Sequence, residues 1–276
     1  MRLSREMSAF SVSMIGVGAM IGAGIFVLTG IAAGVAGPGL ILAFALNGVV
    51  TLFTAMAYAE LGSCFHTAGG GYLWVKSSLP HPNGFLAGWM SWFASSVACS
   101  LYALGFGAYF GHVLEGFGIH IPLIPYFSIE KTLAVGACLL LAYINYKGAS
   151  EAGLAGTVVT LAKVIVILLF IGFGLWAMRG MPEWEGNFEP FLPLGFGSVF
   201  SAMGLTFIAF QGYEVIAQCS EEVMDPARSI PRAIFLALGI VIPIYLLVAF
   251  VAIGAVHVEG MPNWKFLGEM KELAVV

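Results

Sequence analysis

The first apolar run, from about Phe10 to Ala36, is long enough to cross a bilayer, but its centre reads Gly16-Val17-Gly18-Ala19-Met20-Ile21-Gly22-Ala23-Gly24-Ile25-Phe26. Each glycine in a helix interior costs about 0.5–1 kcal/mol relative to alanine. Four of them within nine residues argue against an unbroken helix, and a break at mid-membrane is the simplest resolution. Non-helical backbone at that depth is tolerated only where it is buried in protein or lines a cavity. A break therefore implies a site, and the free N–H groups opening the second half-helix, with the positive end of its dipole, suit an anion such as a carboxylate. The alternative is packing, with Gly18-xxx-Gly22 and Gly30-xxx-Gly34 letting another helix approach closely. On the glycines alone both readings stay open.

Composition sets the class. Of 276 residues 60% are apolar and 9% charged, against roughly 45–50% and roughly 25% in soluble domains, so the chain is expected to be an all-α integral membrane protein. A net charge of −4 offers no basic surface for nucleic acid. Arg2 and Arg5 precede an apolar run far longer than a signal-peptide core, which is retained as the first span. Cys64, Cys99, Cys138 and Cys219 have no ligand spacing and read as packing residues. His66, His81, His112, His120 and His257 fall near span ends and read as interfacial. No metal or cofactor is expected. Neither a dinucleotide fingerprint nor a GxSxG, HExxH or P-loop motif is present, so no enzyme is indicated.

Seven spans are predicted at about Phe10–Ala36, Leu40–Cys64, Gly84–Val113, Thr132–Tyr146, Leu154–Met178, Val199–Cys219 and Ala233–Val256. With the N-terminus inside, the inner flanks hold Arg2, Arg5, Lys76, Lys147, Arg228 and Arg232, against Lys131, Arg179, Lys265 and Lys271 outside. Gly37-Pro38-Gly39 reads as a tight outer turn. Thr67 to Lys76 reads as an inner loop followed by a short aromatic interfacial segment. The stretch from Gly180 to Pro193 reads as a stiff outer loop anchored by Trp184.

Ionisable groups within spans cost roughly 2.5–3.5 kcal/mol at a helix centre and are functional candidates by default. Lys163, about ten residues into the fifth span, must find carbonyls or a carboxylate or give up its proton. It is a candidate proton-coupling group; the alternative is a fixed cation. In Phe210-Gln211-Gly212-Tyr213-Glu214 a glycine beside two polar residues predicts a second helix break, whose free carbonyls suit an ammonium group. A kink with Glu214 satisfied by a neighbour is the competing account. Glu60, near the inner end of the second span, reads as a gate or interhelix partner. Glu221 to Arg232 reads as a charged turn, either solvated or an inner gate, with Pro231 in the first turn of the seventh helix.

Four motifs together resemble the amino acid/polyamine/organocation permeases, and their amino acid permease branch in particular. These are Gly-x-Gly-xxx-Gly-x-Gly-Ile-Phe in the first span, Tyr58-Ala59-Glu60-Leu61 leading into Ala68-Gly69-Gly70, Phe210-x-Gly212-Tyr213-Glu214, and Glu221-Glu222 through Pro226 to Ile230-Pro231-Arg232. The resemblance implies two inverted five-helix repeats with the first and sixth helices broken at the substrate site. It gives one transmembrane domain, with a first repeat over about 8–178 and an incomplete second repeat over about 195–276, as in a chain truncated after the seventh helix. By position, Ile21, Gly22, Ala23 and Gly24 would offer backbone to a substrate carboxylate. Carbonyls of Ile208, Ala209 and Gln211 would take the α-amine, and Phe210 is a candidate for selectivity. Lys163 matches the lysine of proton-coupled members, with Glu60 and Glu214 as gate or supporting residues. The expected function is proton symport of an amino acid by alternating access in the cell membrane, with the N-terminus cytoplasmic. The span count also allows a seven-helix receptor or a non-transporting binding subunit, and a channel less well.

Overall fold

A computed structural model describes residues 7–65, 67, 69–119, 128–147, 152–181, 183–256, 258 and 260–270. Arg2, Arg5, His66, Ala68, His120, Pro182, His257 and Lys271 lie outside them. The regular elements of the described residues are helices: α1 (Ala9–Met20), α2 (Ala23–Ala36), α3 (Leu40–Cys64), α4 (Gly70–Ser78), α5 (His81–Gly116), α6 (Ile129–Lys147), α7 (Ala152–Gly180), α8 (Phe196–Thr206), α9 (Glu214–Gln218), α10 (Pro226–Gly254) and α11 (Asn263–Met270). The described residues contain no strand, only one isolated bridge between Met7 and Val223.

Five runs are long and apolar enough to cross a bilayer: Gly24–Cys64, His81–Gly116, Val158–Gly180, Phe196–Gln218 and Pro226–Gly254. The expected seven differ from these for local reasons. The first expected span is split by its own break, leaving α1 with 12 residues. Its second half, α2, runs into α3 through a 3-10 turn at Gly37–Gly39, so two expected spans fall within one run. The expected fourth span, α6, has 19 residues and carries Glu130, Lys131 and Lys147 at its ends.

The chain forms two compact units. The larger comprises Met1–Ala87 and Gly156–Val276, the smaller Gly88–Ala155. In the larger unit α10 is the central post, and its fully buried residues include Ala237, Leu238, Val241 and Tyr245. Within the smaller unit α5 and α6 meet closely at Gly107, where a Cβ would run into the Glu130 carbonyl. Three of the four cysteines, Cys64, Cys99 and Cys138, are exposed rather than packed in a core.

Several expected loops are more ordered than their composition implied. The segment after α3 becomes helical at Gly70, and Trp74 of α4 is buried edge-on against Tyr58, with ring centroids 5.0 Å apart. Trp184 opens a 3-10 turn, Trp184–Phe188, that folds onto Phe250, while Asn187 Nδ2 donates to the carbonyls of Gly254 and Val256. The seventh helix starts at Pro226, not near Pro231, which lies inside α10. Proline suits a helix start because its missing N–H would be unpaired there in any case.

The turn before α10 is stitched to the start of the chain. Met7 N–H donates to the Glu222 carbonyl and Met224 N–H to the Met7 carbonyl, each at 3.0 Å. Within the segment, Arg228 and Asp225 lie 3.9 Å apart on the surface and contribute little.

Candidate substrate site

Helix α1 ends at Met20. Ile21 N–H closes the last turn on the Val17 carbonyl, and Gly22 N–H doubles back to the Met20 carbonyl, both at 2.8 Å. Ile21, at φ −74° and ψ 74°, is therefore the centre of an inverse γ-turn. Gly22 is extended and precedes α2 without a side-chain cap. The first N–H groups of α2, from Ala23 and Gly24 onward, thus point out of a helix start with no intrahelical acceptor. That is the arrangement expected for Ile21, Gly22, Ala23 and Gly24, with the break two residues long.

The second break is longer. Helix α8 stops at Thr206, residues Phe207–Phe210 tighten into a 3-10 turn, and α9 begins at Glu214. Gly212 sits at φ 135°, a conformation that side chains disfavour. Its N–H is taken by Glu214 Oε2 at 2.8 Å, so Glu214 braces its own turn. The Ile208 carbonyl accepts Gln211 N–H at 3.2 Å and the Ala209 carbonyl accepts from a tyrosine hydroxyl, each with a second lone pair remaining.

Glycines bring the two breaks together, backbone to backbone. A Cβ on Gly212 would lie 2.6 Å from the Met20 nitrogen, and one on Gly24 would lie 3.1 Å from the Ala209 Cα. Gly16 and Gly18 pack against Ile216 and Thr160. These glycines thus do different things: Gly16, Gly18 and Gly24 admit neighbours, and Gly22 leads into the uncapped start of α2.

Lys163 of α7 donates from Nζ to the Gly18 carbonyl at 2.8 Å. In an unbroken helix that carbonyl would accept Gly22 N–H. The break frees it, and a cation at a helix C-terminus is favoured by the dipole. Among the described residues this carbonyl, not a carboxylate, is the lysine's partner. Phe210 is 1% exposed and packed between Phe44 and Tyr245, with centroids 6.1 and 5.1 Å away. Glu60 is exposed on α3 and pairs with no charged side chain among the described residues.

Tyr245 was not singled out by the sequence reading. Fully buried on α10, its hydroxyl lies 2.7 Å from the Met20 carbonyl and 2.9 Å from the Ala209 carbonyl, one from each break. The available signal was a lone hydroxyl in the apolar run from Ala233 to Gly254.

A family model described as amino acid permease matches residues 7–272. The chain is 34% identical over 263 residues to the branched-chain amino acid permease BcaP of Bacillus subtilis, covering 92% of this chain and 56% of that protein. It is 33% identical to the methylthioribose transporter of the same organism, covering 91% of this chain and 55% of the relative. To the human cationic amino acid transporter 4 it is 31% identical, over 90% and 40% respectively. The chain thus spans about half the length of the curated relatives it matches. With paired helix breaks in apolar spans and a family match along nearly all of its length, this multi-pass membrane protein belongs to the amino acid permease family of the amino acid/polyamine/organocation superfamily.

Proposed function

We propose that the paired breaks hold the zwitterionic end of an amino acid in a proton-coupled transporter that works by alternating access. The observation that carries this reading is the pairing itself: uncapped N–H groups of α2 lie beside the carbonyl-bearing turn Phe207–Phe210. The substrate carboxylate would sit at the start of α2, on Gly22, Ala23 and Gly24 beside Ile21. Its ammonium would take the remaining lone pairs of Ile208, Ala209 and Gln211. Phe210, with its ring against Phe44, would meet the substrate side chain.

Lys163 would carry the coupling proton. Its acceptor is a neutral carbonyl, so leaving as a neutral amine strands no buried anion. Release of the Gly18 carbonyl would then loosen the end of α1 and connect protonation to the shape of the first break. The domain assignment follows the same reading: one transmembrane domain in the cell membrane, N-terminus cytoplasmic, with a first repeat over about 8–178 and part of a second over about 195–276. Glu60 and Glu214 would act at the inner gate or in support of it.

The test is uptake into proteoliposomes of a panel of labelled amino acids, with and without an imposed pH gradient, by the protein and by Lys163→Ala. Saturable uptake that grows with an inward proton gradient is expected, and in the variant that growth should vanish. Saturable uptake indifferent to the gradient would overturn proton coupling. Folded protein that neither takes up nor binds any amino acid would overturn the transporter reading. A protease-accessible tag at Met1 reports the sidedness of the N-terminus.

A further inference from the structure

Helix α3 carries a stripe of uncharged polar residues at Asn47, Thr51, Thr54 and Tyr58, spaced to share one face. The stripe meets the second break at both ends. Asn47, 2% exposed, donates from Nδ2 to the Met203 carbonyl and to Thr206 Oγ1, each at 2.9 Å. Thr206 Oγ1 in turn donates to the Ala202 carbonyl at 2.9 Å, so the chain of donors has one direction and both protons of the Asn47 amide are used. The Met203 carbonyl also accepts Phe207 N–H, the bond that closes α8 where the break begins. Seven residues along α3, Thr54 Oγ1 lies 2.9 Å from the Tyr213 hydroxyl, at the residue where the break ends. Between them Thr51 Oγ1 is buried with no hydrogen-bond partner among the described residues, so the stripe holds the break at Asn47 and Thr54 and not between them.

We propose that α3 holds the second break open at both edges, with Asn47 as the permanent attachment and Thr54 as the releasable one, so that the break bends about Asn47. The two contacts differ in the way this needs. Asn47 is buried, and breaking its bonds would leave both amide protons unpaired in an apolar interior. Thr54 is exposed and its hydroxyl has a second acceptor in the Thr51 carbonyl at 2.9 Å, so Thr54 keeps a partner when its bond to Tyr213 exchanges. The bending part of the proposal rests on the transporter reading above; the attachment does not.

Hydrogen exchange of the protein in nanodiscs tests the attachment without reference to transport. Asn47→Ala should raise exchange across Phe207–Tyr213 by up to roughly tenfold, the size of about one lost hydrogen bond, and leave the middle of α10 unchanged. Tyr213→Phe, which keeps the ring against Tyr58, should raise exchange at Gln211–Ile216 alone. Unchanged exchange in Phe207–Tyr213, or a uniform rise that includes α10, would show that Asn47 merely packs and would overturn the proposal. If Asn47→Ala does not fold, Thr206→Val decides: it keeps the shape and removes one acceptor, and a smaller rise confined to the same segment is expected. A rise in Tyr213→Phe that spreads back to Phe207 would overturn the division between permanent and releasable edges.

Discussion

The two breaks solve one problem, an interrupted helix in an apolar span, by different means. The first is short and held from outside itself: one γ-turn at Ile21, with freed carbonyls taken by Lys163 of α7 and Tyr245 of α10. The second is longer and held from inside as well as outside: a 3-10 turn, a glycine at φ 135° and a carboxylate two residues away that accepts that glycine's N–H, with Asn47 and Thr54 of α3 at its edges and Tyr245 of α10 on the Ala209 carbonyl. The difference leaves the first break with bare donors and the second with carbonyls.

Four substitutions sharpen or break this contrast. The largest effect is expected for Gly212→Ala, which combines a disfavoured backbone conformation with a Cβ 2.6 Å from the Met20 nitrogen. Strain and overpacking together should remove about 3 kcal/mol or more. A purified variant that melts like the parent and binds amino acid as tightly would show that the two breaks are not in mutual contact. Tyr245→Phe comes next. It withdraws a hydroxyl that reaches both breaks and should lower stability by about 1–3 kcal/mol, chiefly because the buried Ala209 carbonyl loses its tyrosine donor while the Met20 carbonyl keeps the Gly22 N–H. Thermal unfolding reads the loss, and a Tm identical to the parent's would mean that the contact is incidental.

Gly24→Ala should divide stability from binding. Alanine favours the start of α2 by up to about 1 kcal/mol, while its Cβ at 3.1 Å from the Ala209 Cα must push the breaks apart by a few tenths of an ångström. The expected outcome is a Tm close to the parent's with weaker amino acid binding by scintillation proximity; tighter binding would contradict the placement of the ligand between the breaks. The smallest effect belongs to Glu214→Gln. The amide oxygen can still accept Gly212 N–H, so a change below about 1 kcal/mol is expected. A collapse of stability would show that the charge, and not the hydrogen bond, braces the second break.

Much of the site was legible because its causes are local. Four glycines in nine residues interrupt a helix wherever it lies, and Gly212 beside Gln211 and Glu214 does the same. Lys163 stood out because a charge in an apolar span demands a partner. Tyr245 and Asn47 did not stand out. A tyrosine in Ile244-Tyr245-Leu246 and an amide in Leu46-Asn47-Gly48 are each one uncharged polar group among apolar neighbours. Nothing in their own segments says whether they meet a free carbonyl or simply satisfy a neighbouring helix. Pro231 misled for a related reason: proline marks helix starts, and Pro226 took that position five residues earlier.

Composition alone pointed to an all-helical membrane protein, and glycine placement to where a helix would be interrupted or closely approached, since hydrocarbon tolerates no unpaired backbone and glycine weakens a helix whatever surrounds it. Tertiary structure alone decided which side chains reach the carbonyls at the end of α1. Gly18 is paired with a lysine 145 residues later and Met20 with a tyrosine 225 residues later. Such pairings depend on where α7 and α10 come to lie, and a hydrogen bond is specific only over the roughly 3 Å across which donor and acceptor meet.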